Sequence, residues 1–231
     1  MSSEPQTPQQ PELSAQQVSE QEGIRRQKLQ RLAESNQSPY DITHFPVTHQ
    51  SAQILADFEA LEGKTVSVAG RMVSKRVMGK ASFAHLLDAY GQIQFYVRRD
   101  DVGPDAYAAF KDYDVGDILG VTGTVFRTQK GEISLHAQTL TLLSKSLKVL
   151  PEKFHGLKDP DLRYRQRYVD MIVNPEVRET FRKRSRIITA VREFLDGRGF
   201  LEVDTPVLQT VEIGAAARTS GEPTPRLKRA W

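Results

Sequence analysis

No cysteine occurs in the 231 residues, which excludes a disulfide framework, a thiolate zinc site and a cysteine nucleophile. No apolar run approaches the roughly 20 residues that span a bilayer, so no membrane partner is expected. The five histidines (His44, His49, His85, His136 and His155) fall in no spacing that suggests metal ligation. A phosphate loop of the form GxxxxGK followed by Ser or Thr is missing. So are a GxGxxG after a strand and any nucleophile–base pair that spacing supports. The opening MSSEPQTPQQPEL is acidic and polar, unlike a secretory signal or a basic transit peptide, and a cytoplasmic protein is the expectation. Charge is nearly balanced: a net +3 and a pI near 9.1 lean mildly toward anionic partners without naming nucleic acid.

What remains is globular composition, 39% hydrophobic and 26% charged, long enough for one or two domains with real cores. Residues 1–14 have almost nothing to bury and read as a disordered tail. Residues 15–62 read as a basic helix, GIRRQKLQRLAE at its centre, followed by an extended connector through SPYDITHFPVTH. The helix has sparse apolar residues, so docking on a domain, contact with RNA and a merely solvated face all stand as readings.

Residues 63–150 switch to a period of two. Val66, Val68 and Met72 share one side of the first strand, with Gly70 interrupting as a bulge or bend would. SFAHLLD follows, then Ile93, Phe95 and Val97 alternating against Gln94, Tyr96 and Arg98. A short helix around Tyr107 and Phe110 ends at Gly116, and two more strands are separated by Gln129-Lys130-Gly131. Three strands, a helix and two strands is the order of an OB-fold, a five-stranded Greek-key barrel that binds oligonucleotides over its second and third strands. Lys75, Arg76 and Lys80 cluster beside Phe83. Cations neutralise phosphate and a ring stacks on an unpaired base; alternatively the ring is core and the charges a solubilising edge. Glu132 and Gln94 are suited to a base edge, or are plain exposed strand residues.

From residue 151 the pattern turns helical. DPDLRYRQRYVDMIV stops before Asn174-Pro175. The next helix carries Val177, Phe181, Ile188, Val191 and Leu195 on one stripe and ends at Gly197 and Gly199. Its FRKRSR run reads as a solvated face rather than an import signal or a nucleic-acid patch, and RYRQRY as an RNA or domain contact. FLEVDTP then reads as a short strand with no later strand to pair with, the start of an uncompleted domain.

The runs VAGRMVSKRVMGKASFAHL, VGDILGVTGTVFRTQKGEISLH and LPEKFHGLKDPDLRYRQRYVDMIVNPE resemble class II lysyl-tRNA synthetases, from roughly Val66 to Arg218. The resemblance implies a β + α architecture: an OB-fold anticodon-binding barrel, then linker helices and motif 1 over residues 151–210, at the start of an α+β catalytic domain. It implies that Phe83 stacks on an anticodon base while Arg76, Gln94 and Glu132 read the uridine-rich lysine anticodon. Lysine tRNA is then the partner, with no role for DNA. GRGFLEVDTPVL is similar to motif 1, so Gly199 and Pro206 would belong to the family's homodimer interface, which needs a sheet this chain does not supply. The family's cofactors are ATP and Mg²⁺, but the segment expected to hold them is interrupted: Ile213 stands where the family has glycine, and after Arg218 the pattern gives way to TSGEPTPRLKRAW, making residues 211–231 an aberrant tail. With motifs 2 and 3 missing, neither cofactor is expected to bind and the chain is expected to be inactive alone. The readings are a lysine–tRNA ligase cut short, a stand-alone OB-fold tRNA or single-stranded-RNA-binding module, and a non-functional frameshifted remnant.

Overall fold

The computed structural model describes residues 15–151 and 157–205; the expectations placed on residues 1–14, on Pro206 and on residues 211–231 lie outside them. The chain divides into two compact units, Met1–Val169 and Asp170–Trp231.

In the first unit the elements run α1 (Ala15–Glu34), a 3-10 turn (Pro39–Asp41), α2 (Ser51–Ala56), α3 (Phe58–Leu61), β1 (Thr65–Met78), β2 (Ala81–Leu87), β3 (Gln92–Arg98), α4 (Arg99–Val102), α5 (Pro104–Asp112), β4 (Ile118–Arg127), β5 (Ile133–Ser144) and α6 (Pro160–Arg165). The five strands close into a barrel in the order β1-β2-β3-β5-β4. All pairs are antiparallel except β3 with β5. Alternation decides what fills it: Val66, Val68, Met72, Leu86, Phe95, Leu119, Val121 and Leu135 are all buried inward. Phe110 of α5 plugs one end, edge-on to Phe95 with ring centroids 5.9 Å apart.

The first strand must serve two neighbours, β4 with its early residues and β2 with its later ones, and it does so by bending. At Gly70 a side chain would meet the Leu87 carbonyl oxygen at 2.7 Å, so only glycine admits that approach. The bulge itself lies two residues on, where the pairing with β2 shifts between Met72 and Ser74.

The connector is more structured than its prolines suggest. Phe45 lies where a side chain on Gly120 would have to go, 2.5 Å from that Cβ position. The Thr48 N–H donates to the Ser67 carbonyl at 2.9 Å. Beyond it come two short helices that the extended reading did not contain, with Ile54 and Phe58 buried against the core. Asp88 holds α2 in place, accepting from the Ser51 N–H and hydroxyl, both at 2.7 Å.

Of the readings open for the basic helix, docking is the one observed. The buried Arg25 guanidinium donates to the carbonyls of Ser146 (3.2 Å), Lys148 (2.9 Å) and Val115 (3.1 Å). Lys28 donates to the Asp112 carbonyl at 2.8 Å and pairs with Asp114 at 2.9 Å. Beneath them Asp117, fully buried, accepts from Lys145 at 2.7 and 3.0 Å and from the Asp114 and Ser146 N–H groups, each at 2.8 Å. Lys145 also pairs with Asp114.

Burial by itself would raise the Asp88 and Asp114 carboxyls, yet both lie below the usual carboxylate range. In Asp88 the bonds from Ser51, Tyr90 and Gly91 outweigh burial; in Asp114 Lys145 and Lys28 do. A carboxyl depressed by folding contributes stability that is complete above its unfolded pKa, near 4, and is lost as pH falls through the folded value. The melting temperature should therefore fall steadily below about pH 4, and Asp88→Asn should flatten part of that fall. A profile unchanged by the substitution would show that the Asp88 bonds carry no pH-linked stability.

The helical run before Asn174 is two helices rather than one, α6 and α7 (Arg167–Val173), broken at Gln166 with φ −117° and ψ 53°. The second unit contains α8 (Pro175–Asp196), with Val177 buried and Ile188, Val191 and Leu195 of the expected stripe exposed. The expected strand at FLEVDTP is not formed over residues 200–205: these residues pair with no strand of the described residues, and an unpaired strand has no ladder to stabilise it. Glu202 instead accepts from the Arg192 Nε at 3.0 Å on both oxygens.

Candidate nucleic-acid interface

The barrel register lays two rows of outward side chains across neighbouring strands. In one, Arg76 faces Phe83, Phe83 faces Tyr96 and Tyr96 faces His136. In the next, Ser74 faces His85, His85 faces Gln94 and Gln94 faces Ser134. Both rows exist because inward residues of β2 and β3 (Ala84, Leu86, Ile93, Phe95) take the core and leave the opposite parity to solvent.

The first row is aromatic. Phe83 and Tyr96 rings lie 4.9 Å apart, Tyr96 and His136 5.3 Å, and Phe126 of β4 closes on His136 at 5.8 Å. The rings are half-buried, and the His136 Nε2 meets Asp101 at 2.7 Å. Arg76 is exposed at the row's end. A ring surface ending in a guanidinium can stack an unpaired base and hold the adjoining phosphate.

The second row is polar and bonded throughout. Glu132, one residue before β5, accepts from Gln94 Nε2 at 2.9 Å and pairs with His85 Nε2 at 3.2 Å. The Ser134 hydroxyl donates to Gln94 Oε1 at 2.9 Å, and Ser74 Oγ lies 2.7 Å from His85 Nδ1. The side chain of Glu132 remains half exposed.

Phe83, Arg76, Gln94 and Glu132 are thus brought together on one face. Lys75 is not: it turns to the far side, donating to the Lys111 carbonyl at 2.9 Å and to the Tyr113 carbonyl, and so caps the C-terminal end of α5. Burial there lowers its pKa. Lys80 is exposed at the turn between β1 and β2. Tyr96, His136, Phe126, His85 and Ser74 were not singled out as site residues, although the period of two already places His136 opposite in parity to Leu135 and Ala137. Gly199 follows α8 with φ +79°, away from any of these groups in sequence. FRKRSR is exposed from Arg182 to Arg186, as a solvated face would be, and Tyr164 and Tyr168 of RYRQRY are exposed too.

Residues 66–143 match the family described as OB-fold nucleic acid binding domain, and residues 159–221 match tRNA synthetases class II (D, K and N). The lysine–tRNA ligase of Clostridium novyi (strain NT) is 57% identical over 194 residues, 84% of this chain and 38% of that protein. That of Clostridium perfringens (strain SM101 / Type A) is 56% identical over 202 residues, 87% of this chain and 40% of that one. That of Thermoanaerobacter sp. (strain X514) is 58% identical over 195 residues, 84% of this chain and 39% of that one. The chain spans about two-fifths of the length of these relatives. The chain thus matches an OB-fold nucleic acid binding domain followed by a class II tRNA synthetase segment, and the relatives it resembles over both are lysine–tRNA ligases.

Proposed function

We propose that the barrel is the anticodon-binding module of a lysine–tRNA ligase, the enzyme that attaches lysine to its tRNA at the expense of ATP. The observation that supports this best is the meeting of Phe83 and Arg76 on one row with Gln94 and Glu132 on the next. Phe83 stacks an anticodon base, Arg76 holds a phosphate or base edge beside it, and Gln94 with Glu132 reads the edge of a neighbouring uridine. Phosphate contacts position the loop, and edge contacts choose its sequence.

ATP and Mg²⁺ belong to the family's reaction. Among the described residues no group of three or more His, Cys, Asp or Glu is placed to hold a metal ion. Under the same reading Gly199 and Pro206 belong to a dimer face and the protein works in the cytoplasm. No helix among the described residues is long and apolar enough to cross a membrane.

A labelled stem-loop carrying the lysine anticodon tests the reading. It should bind more tightly than a loop whose anticodon is replaced by cytidines, and affinity should fall with salt at a log–log slope of about −0.7 per phosphate contacted. Equal affinity for the two loops would sink the assignment.

A further inference from the structure

We propose that His85 is a positioning residue that sets base choice at this face, by locking Glu132 and through it the orientation of the Gln94 amide. The proposal rests on the anticodon reading and names the chemistry that reading leaves open, selection of uridine over cytidine.

Glu132 stands outside the strands. Its backbone is pinned by the turn: its N–H donates to Thr128 Oγ1 at 3.0 Å, and its carbonyl accepts the Thr128 N–H at 2.9 Å. The side chain is long and half exposed, and among the described residues the groups that hold it are His85 and Gln94. An ionised carboxylate only accepts. Both neighbours must therefore donate, and that requirement propagates in two directions.

Toward β1, the His85 Nε2 must carry a proton, and in the neutral ring Nδ1 then accepts the Ser74 hydroxyl at 2.7 Å. Toward β5, the Gln94 NH₂ must face Glu132, which turns Oε1 toward the Ser134 hydroxyl at 2.9 Å on a fully buried residue. Donors run inward from both ends to the Glu132 carboxylate. Gln94 is left with one N–H and one oxygen lone pair, in an order it cannot reverse without setting its oxygen against the carboxylate.

That order matters because uracil and cytosine differ in it. At position 4 uracil accepts and cytosine donates; at position 3 uracil donates and cytosine accepts. A locked amide pairs with one and meets the other donor to donor and acceptor to acceptor. Without His85, Glu132 loses one of these holders, the amide is free to flip, and both pyrimidines are accommodated.

Two variants of the full chain and one measurement on the free protein test this. Wild type should prefer a stem-loop with uridine at the read position over its cytidine counterpart by about tenfold or more. In His85→Ala that ratio should fall to about threefold or less, with little change in melting temperature or in the salt slope. His85→Gln, which restores a donor of similar reach, should recover most of the ratio. An undiminished ratio in His85→Ala overturns the proposal. A wild type that binds neither loop, or binds both equally, overturns the anticodon reading instead. If His85→Ala does not fold, the ring ¹⁵N shifts of the free wild type decide: an Nε2–H tautomer supports the lock, and an Nδ1–H tautomer overturns it, since a bare Nε2 cannot hold a carboxylate.

Discussion

Phe83→Ala is expected to lose about 5- to 150-fold in affinity for the lysine anticodon stem-loop, the worth of one base stacked on one ring, about 1–3 kcal/mol. Phe83 lies on the outer face of β2, across from Arg76 on one side and Tyr96 on the other. It is half-buried while its neighbours Ser82 and Ala84 are fully buried, so the barrel core does not depend on it. Its ring contact to Tyr96 at 4.9 Å is worth about 0.5–1.5 kcal/mol. A small drop in melting temperature should therefore accompany a large loss of binding. Phe83→Leu separates the two, because leucine keeps apolar contact with Tyr96 and offers no face for stacking. Binding lost in both variants, with Leu close to wild type in stability, is the expected pattern. Normal binding with lowered stability would make the ring a structural residue and remove the stacking role.

The largest effect on stability is expected at Asp117. This carboxylate is fully buried and accepts from Lys145, from the Asp114 N–H and from the Ser146 N–H, while Lys145 is itself 2% exposed at its side chain. Asp117→Ala leaves a buried ammonium with Asp114 as its remaining carboxylate and strands two backbone donors. Removing one member of a buried pair typically costs about 3–5 kcal/mol, here about 10 °C or more in melting temperature. The loss should reach α1, because Asp114 is shared with Lys28, and the Ser146 and Val115 carbonyls are those that Arg25 grips. Adding Lys145→Met to Asp117→Ala should cost less than the sum of the single changes, since the stranded charge is gone. Additive losses would mean that the two side chains do not act as a unit.

The barrel is legible in the sequence because its strands alternate. A half-buried strand must place apolar residues two apart, and Ile93, Phe95 and Val97 do so without exception. The spacing of Tyr107 and Phe110 marked the helix that plugs the barrel in the same way. The helices at Ser51–Ala56 and Phe58–Leu61 were missed because each is too short for a helical period to stand out, though Ile54 and Phe58 sit four apart. At residues 200–205 the apolar alternation reads as a strand, but no strand of the described residues pairs with it and none forms there.

What the sequence determined by itself is most of the side chains that must leave water, and with them the succession of strands along the chain and, in β2 and β3, the half free to face outward. What it could not determine is which outward side chains meet. Extrapolated from Val66, Val68 and Met72, the parity of β1 would send Arg76 into the core and Lys75 out toward the RNA face. The bulge between Met72 and Ser74 inserts one residue and reverses that parity, so Arg76 emerges opposite Phe83 while Lys75 turns to cap α5. The parallel pairing of β3 with β5 likewise brings Tyr96 to His136 and Gln94 to Ser134 across 40 residues of chain. A period of two records the face of a residue but nothing about its neighbour on the next strand. That depends on register, which the closing barrel sets.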